Sequence, residues 1–145
     1  MGILAMNIKS IEGNKYENIT DKAEINNRIA VTNIKEKNIP NIKLPCVSIE
    51  FNFTSKYTSE EKTFAEISII GEIIYTGNDN GEILKKWKES KELLQTQYTS
   101  IINTIFKRCA IKALQLTEDL QLPPLIGFPF VDNKKRITIS YFYNH

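Results

Sequence analysis

The side chains that most often do chemistry are sparse in this sequence and poorly spaced for it. The one histidine, His145, is the last residue, and the two cysteines, Cys46 and Cys109, stand far apart and unaccompanied. A zinc site, or a Ser-His or Cys-His nucleophile, needs these groups clustered at ligand or hydrogen-bond spacing. Gly71, Gly77 and Gly81 match neither glycine pattern that cradles phosphate. Two carboxylate pairs remain. Glu60-Glu61 falls in a polar connection, and Glu118-Asp119 falls in the last turns of a helical pattern, where negative charge opposes the dipole. Both read as solvated surface. The sequence therefore points away from an enzyme and requires neither metal nor cofactor.

Two features point to binding instead. Lys134-Lys135-Arg136 precedes Tyr141-Phe142-Tyr143, and basic groups beside aromatics on a strand can stack nucleic-acid bases. No basic stripe elsewhere supports that use, so a polar turn before an edge strand is the better reading. The second feature is Leu122-Pro-Pro-Leu-Ile-Gly-Phe-Pro-Phe-Val131, strongly apolar and stiffened by prolines. It reads either as a loop covering the core or as one wall of an apolar groove, and a rigid wall binds at less ordering cost.

The elements that must position these residues are legible from periodicity. Met6–Ile11 and Arg28–Ile34 are short candidate strands, the second with Ile29 and Val31 on one face. Lys35–Asn41 reads as a loop. Val47, Ile49, Phe51 and Phe53 alternate with Ser48, Glu50, Asn52 and Thr54, which places one face on a core and leaves the other wet. Phe64–Tyr75 repeats the pattern, with Glu66, Ser68 and Glu72 on the second face beside Ile70 and Ile74. The short polar connection makes the two an antiparallel hairpin. Asp79 and Glu82 fit a capping box before Ile83, Leu84 and Trp87. From Leu94 to Leu120 the apolar positions hold helical spacing, on a stripe wide enough to bury two sides. Pro123 stops this helix. Ile137, Ile139, Tyr141 and Tyr143 form a last alternating strand.

At 145 residues the chain suits a single domain spanning 1–145. Its 19 basic and 17 acidic side chains give a net charge of +2, too balanced to imply a nucleic-acid partner. No apolar run is long enough to span a bilayer. The first residues lack a signal-peptide pattern, so a cytoplasmic setting with two reduced, packed thiols is expected.

The order of elements resembles the SecB-type chaperone family. The resemblance rests on Glu66-Ile-Ser-Ile-Ile-Gly-Glu-Ile-Ile-Tyr75, Glu82-Ile-Leu-Lys-Lys-Trp87, Ile102–Leu114 and Leu122-Pro-Pro-Leu-Ile-Gly-Phe-Pro129, somewhat over half of the chain. It implies an α+β fold: an antiparallel sheet of about four strands with a long C-terminal helix packed on one side. It also implies a homo-dimer or homo-tetramer whose apolar grooves hold unfolded polypeptides without ATP. By position, the groove would involve Phe51, Phe53, Trp87, Leu122, Pro123, Leu125, Ile126, Phe128 and Phe130. Bacterial SecB is markedly acidic, which helps it dock on the motor SecA. The net positive charge here, and an end in a strand rather than a helix and tail, argue against that docking and favour general holding over export. The rival reading keeps the fold but confines the apolar surfaces to oligomer packing, as in a structural or adaptor protein.

Overall fold

The computed structural model describes residues 2–18, 23–60, 62–123 and 141–143. Four long strands come first: β1 (Gly2–Lys15), β2 (Ala23–Lys37), β3 (Cys46–Ser59) and β4 (Lys62–Thr76). Helices α1 (Asn80–Ser90) and α2 (Gln95–Asp119) follow, and β5 (Tyr141–Tyr143) is a short last strand. The sheet is antiparallel throughout, in the order β1-β4-β3-β2-β5.

The β3–β4 hairpin is the centre of the sheet and forms as its alternation dictates. Val47, Ile49, Phe51 and Phe53 face Tyr75, Ile73, Gly71 and Ile69, and this face is fully covered by the helices. Gly71 has a specific role here. A Cβ at that position would lie 2.5 Å from the Asn7 carbonyl oxygen and 2.9 Å from the Phe51 ring. Its absence lets β1 and an aromatic ring close on the same point. The long helix buries Ile101, Ile102, Ile105, Cys109, Ala110, Ala113 and Thr117, and Phe106 meets Phe53 edge-on at 6.4 Å. Both cysteines are free and buried, and burial pushes the Cys109 thiol up to about 12.

The outer strands are longer than periodicity suggests. β1 carries register shifts between Ile3 and Ala5 and between Ile8 and Ser10, which break the period-2 pattern on either side of Met6–Ile8. β2 has one between Val31 and Asn33 and continues through Lys35-Glu36-Lys37, still paired with β3. Those three charged residues read as loop because an edge strand with one polar face carries no hydrophobic signal at its end. Of the expected last strand, Tyr141–Tyr143 is β5, and Ile137 and Ile139 lie outside the described residues.

The expected capping box does not form. Asp79 occupies the N-cap position of α1 without a capping bond from its side chain. Its two carboxylate oxygens accept hydrogen bonds from the Tyr75 hydroxyl at 2.9 Å and the Gln97 amide at 2.7 Å. The carboxylate thus ties the start of α2 to the end of β4. The other helix end is built conventionally. Leu122 N–H donates to the Thr117 carbonyl and Gln121 N–H to the Glu118 carbonyl, with Gln121 left-handed at φ 55°. These are the paired bonds of a Schellman motif, which turns the chain and buries Leu122.

Candidate functional site

The two faces of the sheet offer different chemistry. On the helix-free face, Glu72 is only 3% exposed, together with buried Ser48 and Ile74, although alternation places all three on the wet side. Long lysine side chains explain the difference. Glu72 accepts hydrogen bonds from Lys37, from Ser48 at 2.6 Å and from Asn7 at 3.3 Å, while Lys9 bridges to Glu50 at 3.3 Å. Burial alone would raise the Glu72 pKa, but the bonds from Lys37, Ser48 and Asn7 and the charge of Lys37 outweigh it and hold the carboxyl at about 2. Residues from all four long strands meet in this network. It braces the sheet.

The helix side holds the open surfaces. Tyr57 is fully buried on β3, and its hydroxyl donates to the Pro123 carbonyl oxygen. Burial keeps this phenol protonated well above its ordinary range, so it stays a donor. The bond fixes Leu122-Pro123 at one corner of the sheet. Tyr57 is directly opposite Ile25 on β2, so this corner is also the start of that strand. At the other end of β2, a cavity of about 370 Å³ opens between strand and helix, lined by Asn33, Ile34, Glu36, Leu84, Trp87, Lys88 and Lys91. Lys91 lies over the Trp87 ring, 5.6 Å from its centroid. Between the two ends run Ile29 and Val31, half-buried partners of Phe53 and Phe51. Ile25 to Ile34 spans about 30 Å at roughly 3.3 Å per residue. A strip therefore follows the outer margin of β2, apolar except at Asn27, with buried ends at Ile25 and Leu122 and at Ile34 and Trp87 and a half-buried middle at Ile29 and Val31.

Of the groove residues expected from sequence, Leu122, Pro123 and Trp87 sit at the two ends of this strip. Phe51 and Phe53 lie one strand inward and are fully buried, supporting the strip from behind. Leu125, Ile126, Phe128 and Phe130 lie outside the described residues, as do Lys134-Lys135-Arg136 and His145. Ile34 and Leu84 are legible in the sequence as strand and helix residues but carry no signal that places them at a groove. Ile29 and Val31 were visible as one face of a strand, but nothing in the sequence says that β2 is a margin.

A second apolar opening, about 350 Å³, lies between β1 and α2 and is lined by Met6, Ile8, Arg108, Ile111 and Lys112. Ile111 is 62% exposed, and Leu4 and Ile11 on β1 are also exposed. Among the described residues no three His, Cys, Asp or Glu side chains gather to hold a metal, and no helix is long and apolar enough to cross a membrane. Glu60, Glu118 and Asp119 are solvent-exposed.

No protein-family model matches the chain, and no curated protein matches it in sequence. The fold does match solved structures. One is the SecB-like chaperone Rv1957 of Mycobacterium tuberculosis, in complex with a ChAD peptide from the Rv1956 HigA1 antitoxin. The superposition covers 90% of this chain and 89% of Rv1957, with a TM-score of 0.54 and 9% identity. The fold is SecB-like. At this identity the likeness establishes the architecture expected from the sequence, a four-stranded antiparallel sheet with a long helix on one side, beside which the last expected strand is present as β5.

Proposed function

We propose that this protein is an ATP-independent holdase that binds unfolded polypeptides along the outer margin of β2. The observation that carries this reading is the margin of β2: Ile29 and Val31 stand half-buried between the buried ends Ile25 and Ile34, and the cavity lined by Leu84 and Trp87 opens beside Ile34. Such a surface offers apolar contact to side chains and backbone hydrogen bonds to an extended chain, with loose sequence demands. Seating one aliphatic or aromatic client side chain against Ile34, Leu84 and Trp87 would contribute about 1.5–3 kcal/mol. Lys88 and Lys91 at the rim suit an acidic neighbour. The expected groove residues Leu125, Ile126, Phe128 and Phe130 extend the strip beyond Pro123 in this reading.

The apolar opening between β1 and α2 supports self-association into a homo-dimer or homo-tetramer through that face, in a cytoplasmic setting. Rv1957 in complex with an antitoxin peptide supports polypeptide as the ligand class, and makes a dedicated partner a natural variant of the same function. The structural or adaptor reading differs in one respect: it requires the β2 margin to be covered in the assembly.

The test is suppression of aggregation of a reduced client by the purified protein, with its mass measured in the same buffer. Suppression at near-stoichiometric ratio without ATP is the expected result. A folded oligomer that suppresses nothing, and whose binding surface is covered, contradicts the holdase reading and favours the scaffold. Binding that collapses steeply with salt would point to nucleic acid instead.

A further inference from the structure

We infer that the chain's own strand β5 and an extended polypeptide client compete for the outer edge of β2. This rests on the holdase reading above and adds a means of regulating it.

β5 already demonstrates that the edge accepts an antiparallel strand: Tyr141, Phe142 and Tyr143 pair with Ile25, Glu24 and Ala23. Among the described residues this pairing covers Ala23–Ile25. On its other side β2 is paired with β3 from Glu24 to Lys37. The outward backbone of β2 is thus a surface that takes an added antiparallel strand at Ala23–Ile25.

Position makes the competition direct. Ile25 stands between Tyr141 of β5 and Tyr57 of β3, and Tyr57 holds Pro123. β5 therefore lies at the corner where the apolar strip reaches Leu122-Pro123. A client strand that runs from the Trp87 cavity along β2 to this corner must take the place β5 occupies. The aromatic composition of Tyr141-Phe142-Tyr143 is also what an apolar extended client offers. If β5 holds the edge about nine-tenths of the time, client affinity falls about tenfold relative to the freed edge.

The experiment compares three forms of the whole chain. Tyr141→Pro with Phe142→Pro removes two amide donors and releases β5. Glu24→Cys with Phe142→Cys places two thiols directly opposite, where antiparallel Cα atoms lie about 4.5–5.5 Å apart, within disulfide range. The native thiols are buried and do not compete. Binding of fluorescently labelled, reduced and carboxymethylated α-lactalbumin is followed by anisotropy without ATP. The released form is expected to bind about three- to tenfold tighter than the unaltered chain. The oxidised cysteine form is expected to bind at least about threefold weaker than the same protein after reduction. Equal affinity in all forms overturns the competition and leaves the holdase reading standing. Absence of binding in every form overturns both. Should the proline form fail to fold, the reversible disulfide carries the test alone.

Discussion

β2 and β3 are adjacent strands of nearly equal length, paired over most of their course, yet they carry different duties. On β3, every helix-facing side chain from Val47 to Tyr57 is fully buried, including the hydroxyl of Ser55. On β2, the direct partners of those residues include Ile29 and Val31, only half-buried, and Asn27. Moving one strand outward changes a core wall into a surface that is still apolar but open. Burial near the sheet's centre stabilises the fold, whereas apolar area left at its margin is available to something else.

The largest effect that separates the two strands is expected from Phe51→Ala, which opens a cavity in the sealed core and costs about 3–5 kcal/mol of unfolding free energy. Val31→Ala, at its direct partner, should cost no more than about 1 kcal/mol. Denaturant unfolding of both variants checks the contrast, and equal losses would abolish it. The network on the opposite face gives the next effect, through pH. Glu72 has a folded pKa of about 2 against an ordinary 4.5, so the unfolded chain binds more protons between those values. Its stabilisation is complete above pH 4.5 and is lost as pH falls toward 2, an acid sensitivity of up to about 3 kcal/mol. Glu50, also lowered by its hydrogen bond with Asn33 and by Lys9 and Lys35, adds in the same direction. Glu72→Gln should flatten the acid limb of a stability–pH curve while lowering the plateau at neutral pH.

Two smaller effects refine the strip's fixed corner. Tyr57→Phe removes the bond to Pro123 and should cost about 1 kcal/mol, with faster amide exchange around Leu122 as its local sign. Gln121→Gly relieves the left-handed residue of the Schellman motif and should stabilise by about 0.5–1 kcal/mol in thermal unfolding. A loss of stability there would mean that the Gln121 side chain contributes more than its backbone costs.

The same contrast explains what could be read from the sequence. The β3–β4 hairpin was legible because its central position imposes strict alternation, and α2 because a long helix on a sheet repeats one stripe. The margins were not. Register shifts at Leu4, Lys9 and Thr32 take one residue out of step each time, so β1 and β2 show only fragments of their length. Glu72 was assigned to solvent because alternation reports a face and not what covers it; here Lys37, with Ser48 and Asn7, does. Asp79 looked like a cap because sequence places it before a helix, but its partners, Tyr75 and Gln97, come from the preceding strand and the second helix. Trp87 and Leu122 were selected for their apolar size. That they mark opposite ends of one strand depends on the β2–β3 pairing and on Tyr57 reaching Pro123, contacts no local pattern encodes.

The central claim is that the outer margin of β2 receives an extended polypeptide. Amide hydrogen exchange with and without a saturating unfolded client reads this most directly. The account predicts slowed exchange across Asn26–Lys37, where an added strand would take up the outward backbone groups, with the β3–β4 centre unchanged. Client-induced protection confined to β1, or to α2, would contradict it and move the binding surface to the opposite side of the sheet.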